Sequence, residues 1–332
     1  MIFPSTSIAV SSWTWHDSFY KGELNLVEIP AKARAAGINQ VELNDFMLPP
    51  GRWSRTRKLF RTVFGYEKRG PKQQRYIPST INELINQLKT HEVTCISWSI
   101  ESDLTVSEDQ WRKELAYIIK GMQTAAQLNA EMIRLTIGGS ERMDADIDHK
   151  VIRRLKLIAA LCQRLFPTIQ PVVENHWGLT TDINRFLKIL AAVPSIKTCF
   201  DPGNIPSNDR ELAWQNLAVS AHLFHLKIIE HHPDKLDSDI DYQTVFKHLI
   251  NNKYAGKIVI EYEGNQDPAE TLKEVQAQLN KWPIPDGYEA LLQAENDHRE
   301  AQQELLKDNQ AEPAASFLKS LIPGHISLDN QT

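Results

Sequence analysis

Eight short apolar segments, separated by stretches of helical character, constrain the fold of this chain more than any other feature. They are rich in β-branched residues and run without polar alternation, which is typical of strands that a parallel sheet buries on both faces. The segments lie at residues 7–13, 39–44, 93–99, 132–138, 170–175, 196–201, 222–228 and 257–263. No GxGxxG or GxxxxGK(S/T) string follows any of them, so the alternation of eight strands with helices predicts an α/β fold of the closed (β/α)₈ barrel class, a TIM barrel.

Two segments depart from the regular repeat of the predicted barrel. We place the barrel at residues 1–282, with a long insertion or lid at 45–78 after the second strand, because ordinary loops in compact domains are much shorter. The insertion holds nine basic residues and one acidic residue between Arg52 and Arg75, although the whole chain carries a net charge of −5. Residues 283–332 are predicted to form an acidic, helical C-terminal extension.

The starts of several helices are visible as capping signals. Residues 80–83 and 107–110 each have the spacing of a capping box, in which a first-turn side chain and the capping residue satisfy each other's backbone N–H groups. Asp267 followed by Pro268 places a capping carboxylate before a first-turn proline. The sequence therefore predicts helix starts at all three positions.

A carboxylate closes each of three later apolar segments, and an imidazole lies on a fourth: Glu174, Asp201 and Glu261, with His225. In a (β/α)₈ barrel the carboxyl ends of the strands meet at one mouth, where the active sites of this fold lie. Three carboxylates and an imidazole gathered there would repel one another or stay unpaired unless a cation bound them. We therefore expect one divalent metal ion, and mixed carboxylate and imidazole ligation suits Mn²⁺, Zn²⁺, Co²⁺ or Fe²⁺.

The strings ENHWG, FDPGN, FHLK and IEYEG, in this order, resemble the xylose-isomerase-like barrels, and the resemblance covers roughly residues 7–281. The string DIDYQTVFKHLINNKYAGKIVIEYEG is similar to the sugar-phosphate isomerase/epimerase branch of that superfamily. The resemblance implies that Glu174, Asp201, His225 and Glu261 are the metal ligands. It also implies a carbohydrate substrate, although it does not choose among the reactions of the superfamily.

We expect an isomerase or epimerase that acts on a sugar, a sugar phosphate or a related keto-polyol. The metal would stabilise a cis-enediolate, with Glu174 and Glu261 as the acid–base pair that removes and returns the proton. The alternative within enzymes is a metal-dependent dehydratase of a cyclic keto-polyol, of the inosose or dehydroshikimate type. It needs the same enediolate and then expels a β-hydroxyl group.

Two further alternatives are an endonuclease-IV-like nuclease and a non-catalytic sugar-binding protein. By resemblance, the nuclease branch needs three zinc ions and additional histidines, and the corresponding strand positions here are Glu42, Ser97 and Trp98. Many epimerases of the superfamily have a histidine three residues after the strand-six aspartate, where this chain has Asn204. The ligand set is therefore too small for the nuclease, and Asn204 is expected to donate hydrogen bonds rather than carry protons.

Substrate-binding residues are predicted from their position at strand ends and from the face that they share with the ligands. The predicted set is His176, Lys227, Arg134, Asn204, Glu42, Trp15, His16 and Trp98. Trp15, His16 and Trp98 would form an apolar wall on which a sugar face stacks. An arginine inside an apolar strand is costly unless it is paired, so Arg134 is expected to meet Glu42 or Glu174.

The predicted partner is a small carbohydrate, and the basic insertion leaves open whether it is anionic. Basic residues alternate there with aromatic ones, a pattern also compatible with nucleic acid, an acidic partner or a solvated helix. We do not expect nucleic acid, given the ligand set, or a membrane, because no apolar run approaches the ~20 residues of a membrane span. A homo-oligomer in which the acidic extension meets the basic insertion stays open. The three widely spaced cysteines and the lack of a signal-like start favour the cytoplasm.

Overall fold

The computed structural model describes residues 7–49, Lys72, residues 75–282 and positions 290, 293, 294 and 297. Eight parallel strands of this part close into a barrel in the order β1-β10-β7-β6-β5-β4-β3-β2. The barrel strands are β1 (Ile8–Ser11), β2 (Gln40–Asn44), β3 (Thr94–Ile100), β4 (Met132–Leu135), β5 (Gln170–Glu174), β6 (Lys197–Phe200), β7 (Ala221–Ile228) and β10 (Lys257–Tyr262). The predicted (β/α)₈ barrel is confirmed, and all eight predicted segments contribute a strand.

Helices follow the strands and cover the outside of the barrel. They are α1 (His16–Lys21), α2 (Ile29–Ala35), α3 (Pro78–Thr90), α4 (Glu108–Gln127), α5 (Asp146–Leu165), α6 (Ile183–Ala191), α7 (Arg210–Ser220), α8 (Tyr242–Asn251) and α9 (Pro268–Lys281). A short antiparallel hairpin, β8 (His231–His232) with β9 (Leu236–Asp237), follows β7. None of the described helices is both long and apolar enough to cross a membrane.

The barrel interior is filled by one apolar layer that lies directly below the mouth. Its members come from seven strands and are Ala9, Ile96, Met132, Val172, Cys199, Leu223 and Val259. Side chains two residues apart on a regular strand share a face, so the next inward residue of such a strand lies one layer closer to the mouth. Val172, Cys199, Leu223 and Val259 therefore place Glu174, Asp201, His225 and Glu261, respectively, side by side on top of this layer.

The two departures from the repeat fall mostly outside the described residues. Most of the predicted insertion at 45–78 is not described, so its role as a lid stays a prediction. Its last basic residue, Arg75, is buried, with Nη1 3.3 Å from Asp45 Oδ1 and Nη2 2.6 Å from Glu101 Oε2. Both ends of the insertion are thus fixed to the barrel through one ion-pair cluster. Of the extension at 283–332, only four isolated helical positions are described.

The helix starts confirm two of the three predicted caps. Ser107 and Gln110 form a capping box at α4, and Asp267 caps α9. The capping box predicted at 80–83 is wrong, because α3 already begins at Pro78 and has Ile77 as its N-terminal cap, without a side-chain hydrogen bond. Proline at a first helical position starts the helix there without a capping side chain, since its missing N–H has no helical partner to lose.

Replacing Asp267 by alanine is expected to lower the free energy of unfolding by about 1 kcal/mol. The Asp267 carboxylate accepts hydrogen bonds from the backbone N–H groups of Ala269 at 2.9 Å and Glu270 at 3.1 Å, and alanine leaves both donors without this partner. Urea denaturation measures the change. Asp267→Asn keeps an acceptor oxygen and should retain most of the stability, so equal losses for both variants would show that capping is not the cause.

Candidate active site

A cavity of about 430 Å³ opens at the carboxyl ends of the barrel strands. Charged side chains form much of its lining, namely Glu101, Arg134, Glu174, Lys227, Glu261 and Glu263. Aromatic rings form part of the wall, namely Trp13, Phe46 and Trp177. The cavity thus combines a charged floor with apolar surface, as carbohydrate-sized ligand sites do.

His225 lies at the centre of the four strand-end residues. Its Nδ1 is 3.4 Å from Glu174 Oε1, 3.7 Å from Asp201 Oδ2 and 3.8 Å from Glu261 Oε2, and all four residues are buried. Metal–ligand bonds of about 2.1 Å would separate neighbouring donors by about 3.0–3.4 Å. The distance of 3.4 Å to Glu174 lies at the upper end of this range, and those of 3.7 and 3.8 Å to Asp201 and Glu261 are longer. Neither ring nitrogen of His225 has a hydrogen-bond partner among the described residues. Two groups of buried donors among the described residues lie within 4.8 Å of one another and could hold a metal ion beside His225: Glu174 with Cys199 and His225, and Glu42 with His225 and Glu261.

Two buried cations accompany the carboxylates. Arg134 Nη1 contacts Glu174 Oε2, and its Nε lies 3.2 Å from Glu42 Oε1. Arg134 thus meets both of the carboxylates that the sequence offers as its partners. Lys227 Nζ lies 3.2 Å from Asp201 Oδ2 and 3.3 Å from Glu261 Oε1.

The charges of this buried group do not balance. Four carboxylates surround two cations: Glu42, Glu174, Asp201 and Glu261 against Arg134 and Lys227. Buried charges are costly unless they are paired, and with all four carboxylates ionised and His225 neutral, two negative charges remain here. One divalent cation would compensate them.

The two glutamates on either side of His225 differ in their affinity for a proton. Burial would raise the pKa of Glu174, but the charges of Arg134, His176 and His225 together outweigh it and hold that pKa well below its usual value. Burial raises the pKa of Glu261 to about 7, against the opposing charges of Lys227 and His225. A pair of carboxyl groups whose pKa values are pushed apart is the arrangement that acid–base enzymes use.

Two asparagines hold the strand-end side chains around His225 in place. Asn204 Nδ2 donates to Asp201 Oδ2 at 3.0 Å and to Glu174 Oε1 at 3.3 Å, and its Oδ1 accepts from Lys227. Asn175 Nδ2 donates to the Asp201 carbonyl at 2.7 Å, and its Oδ1 accepts from the Asp201 N–H at 2.8 Å. Sequence analysis missed Asn175, because strand parity alone assigns the residue after Glu174 to the opposite face.

The remaining predicted residues fall into two groups. His176 lines the cavity with Arg134 and Lys227, whereas Glu42 is fully buried below it. His16 does not line the cavity but stacks on Trp13, with ring centroids 4.8 Å apart. Burial lowers the pKa of His176, which favours its neutral form.

Trp15 and Trp98 belong to the buried apolar shell rather than to the cavity lining. The strand β1 ends at Ser11, and a 3-10 turn over Ser12–Trp15 directs Trp13, not Trp15, to the cavity. The register between β2 and β3 shifts between Val41 and Glu42, so Ser97 shares the layer of Glu42, and Trp98 packs towards Tyr76. Neither the turn nor the shift has a signal in the sequence.

The aromatic wall is formed by residues that sequence analysis did not select. Trp13 Nε1 donates to Glu263 Oε1 at 2.8 Å, and the Trp13 ring meets the edge of Phe46 at 5.6 Å between centroids. Trp177 is 69% exposed at the rim. Glu263 Oε1 also lies 3.2 Å from Lys227 Nζ, which connects the wall to the charged floor.

A protein family described as a xylose isomerase-like TIM barrel matches residues 30–282 of this chain. This range includes all barrel strands except β1, and with them Glu174, Asp201, His225 and Glu261. A search of curated protein sequences found no match.

Solved structures of similar fold include both epimerases and a dehydratase. A D-allulose 3-epimerase from Methylomonas sp. is 14% identical, with a TM-score of 0.61 over 85% of this chain and 99% of that one. The probable 3-DHS dehydratase AsbF from Bacillus anthracis is 17% identical, with a TM-score of 0.59 over 83% and 100%. The IolI protein, solved with a binding zinc atom, is 11% identical, with a TM-score of 0.56 over 82% and 96%. At such identities the likeness extends to the fold alone.

Proposed function

This chain belongs to the family of xylose isomerase-like TIM barrels, and we propose that it is a metal-dependent isomerase or epimerase of a sugar or a related keto-polyol. The observation that carries the proposal is the convergence of Glu174, Asp201 and Glu261 on Nδ1 of His225, within 3.4–3.8 Å. The epimerase and the zinc-containing protein of similar fold support it.

The metal would be held by Glu174, Asp201, His225 and Glu261. When bound, a divalent ion supplies positive charge beside a substrate carbonyl and so makes the adjacent carbon more acidic. Carboxylate and imidazole ligands are compatible with Mn²⁺, Zn²⁺, Co²⁺ and Fe²⁺, and we propose one of these.

Glu174 and Glu261 are the proposed acid–base pair. The low pKa of Glu174 keeps it ionised and able to take a proton, and the pKa of about 7 lets Glu261 carry one near neutral pH. They stand on β5 and β10, three steps apart around the barrel, so they face a substrate from different sides. Removing a proton beside the carbonyl gives an enediolate, and its return to the opposite face inverts that carbon.

The other cavity residues would bind and orient the substrate. Lys227 and His176 present polar atoms to substrate hydroxyl groups, and Arg134 holds Glu174 in its ionised form. Trp13 and Phe46 offer apolar surface for the face of a sugar ring or chain.

Incubation of the protein with Mn²⁺ and a panel of ketoses in D₂O tests the proposal. We expect deuterium to enter the carbon beside the carbonyl of at least one substrate, and a chelator to abolish the exchange. Nuclear magnetic resonance of the recovered sugar measures both the exchange and any new epimer. A protein that binds metal but exchanges no proton with any ketose or keto-polyol would contradict this function.

A metal-dependent dehydratase of a cyclic keto-polyol is the second candidate. The pKa of about 7 for Glu261 suits this reaction as well, since a protonated carboxyl group can donate to a departing hydroxyl. The similar fold of the AsbF dehydratase supports this candidate as well. A product with new ultraviolet absorbance would identify this reaction, because loss of water creates a conjugated double bond.

A further inference from the structure

Glu42 occupies a position that no substrate in the cavity reaches. It lies on β2, is fully buried and is absent from the cavity lining. Its Oε2 accepts from Ser97 Oγ at 2.8 Å. Its Oε1 lies 3.2 Å from Arg134 Nε and 3.1 Å from His225 Nε2. A carboxylate so placed acts on the site through His225 and Arg134 rather than by touching substrate.

The two ring nitrogens of His225 face different groups. Nδ1 faces the carboxylates of Glu174, Asp201 and Glu261, whereas Nε2 faces only the carboxylate of Glu42 at this distance. Neither Nε2 nor Glu42 Oε1 forms a hydrogen bond among the described residues, although the two atoms lie 3.1 Å apart, within hydrogen-bond distance. A buried N–H without an acceptor is costly, and Oε1 is the available acceptor.

We propose that Glu42 is the positioning residue of the metal site: it takes the Nε2–H of His225 and thereby leaves Nδ1 unprotonated and aimed at the ion. A histidine that binds a metal through one nitrogen needs an acceptor for the proton on the other, which fixes both the tautomer and the ring orientation. This inference rests on the proposed metal-dependent function. It assigns Glu42 to the second nitrogen rather than to substrate.

The opposite arrangement, with an ion on the Nε2 side, is the competing one. Donor atoms of Glu42, His225 and Glu261 also lie within 4.8 Å of one another, and Glu42 would then be a ligand itself. The guanidinium of Arg134 lies 3.2 Å from Glu42 Oε1 and would repel a divalent ion at that oxygen. On the Nδ1 side, Arg134 contacts only the far oxygen of Glu174, Oε2. The charges therefore favour an ion at Nδ1.

The tautomer of His225 in the zinc-loaded protein is the direct test. Nitrogen-15 spectra of histidine-labelled protein distinguish a metal-bound ring nitrogen from a protonated one, and a His225→Asn variant identifies the signals. We expect Nδ1 to be bound to zinc and Nε2 to carry a slowly exchanging proton. A spectrum with zinc on Nε2 would overturn the proposal and leave the metal-dependent function intact.

Zinc affinity, measured by competition with a chromophoric chelator, gives a second readout that does not need activity. Loss of a residue that hydrogen-bonds a metal ligand typically lowers metal affinity 10–100-fold. We therefore expect zinc binding to weaken about 100-fold in Glu42→Ala and about 10-fold in Glu42→Gln, which keeps an acceptor oxygen. Ser97→Ala is the matched control, because Ser97 bonds only the far oxygen of Glu42. Zinc affinity should fall less in Ser97→Ala than in Glu42→Gln.

The outcomes separate the two proposals. Unchanged zinc affinity in Glu42→Ala, or an equal loss in Ser97→Ala, rejects the positioning role, although wild-type protein still binds zinc. Wild-type protein that binds no zinc rejects the metal-dependent function and this inference with it. Circular dichroism of the metal-free variants shows whether each keeps the barrel fold.

Discussion

Replacing Glu174 by glutamine is expected to lower the rate of solvent deuterium entry into a turned-over ketose by about 10²–10⁴-fold, the usual contribution of a general base. The variant keeps a side-chain oxygen at the position 3.4 Å from His225 Nδ1, so we expect it to retain bound metal. It loses the ionised group that the charge of Arg134 maintains. Proton exchange is measured by nuclear magnetic resonance, and metal content by elemental analysis of the same sample.

Asp201→Asn is the matched comparison for this prediction. It also removes one buried carboxylate charge beside His225, but Asp201 has no proposed role in proton transfer. Asp201→Asn also keeps a side-chain oxygen beside His225, so we expect it to retain both metal and most of the exchange, whereas Glu174→Gln loses exchange while metal remains. If Glu174→Gln exchanged deuterium at the wild-type rate, Glu174 would not be the base.

Replacing Arg134 by methionine is expected to lower the free energy of unfolding of the metal-free protein by about 3–5 kcal/mol, as the loss of one partner of a buried ion pair does. The guanidinium is buried between Glu42 and Glu174 and also donates to Asn44 at 2.8 Å. Methionine fills much of the volume but leaves two buried carboxylates without their cation. Denaturant unfolding in the presence of a chelator measures the change.

The stability that Arg134→Met loses should depend on pH. The pKa of Glu174 is lowered in the folded protein, from 4.5, chiefly by Arg134 against the opposing effect of burial. A lowered pKa contributes stability above the unfolded value, and this stability is lost as pH falls through the folded value. The difference between wild type and Arg134→Met should therefore be largest near neutral pH and shrink well below pH 4.5. A constant difference over this range would show that packing, not charge, is the cause.

Arg153→Ala is the control for this stability prediction. The Arg153 side chain is 69% exposed and forms an ion pair with Glu108 at 2.9 Å. Exposed pairs of this kind contribute at most about 1 kcal/mol, so its removal should change the unfolding free energy little at any pH.

The fold and the central part of the site are predictable from the sequence for one physical reason. Parallel barrel strands must be apolar on both faces, so a polar residue such as Asp201 or Glu261 at a strand end stands out. Barrel closure then brings those ends together whatever lies between them in the chain. The pairing of Arg134 with carboxylates is predictable in the same way, because a buried charge requires a partner.

The wall of the cavity is not predictable, because it depends on features that leave no mark in the sequence pattern. A register shift between β2 and β3 turns Ser97 inward and Trp98 outward, and a 3-10 turn after β1 selects Trp13 over Trp15. The pairing of Glu42 with His225 joins β2 and β7, which lie three steps apart around the barrel. Strand parity shows that both face inward, but not which ring nitrogen meets which oxygen.

The position of β10 between β1 and β7 affects the order in which the site can assemble during folding. Glu174, Asp201 and His225 come from β5, β6 and β7 or the ends of these neighbouring strands, whereas Glu261 arrives only with the strand that completes the ring. During synthesis from the amino terminus, three donors can therefore gather before the fourth emerges. An ion bound by all four residues would therefore require a closed barrel. Release of that ion would accompany the separation of β10 from its neighbouring strands.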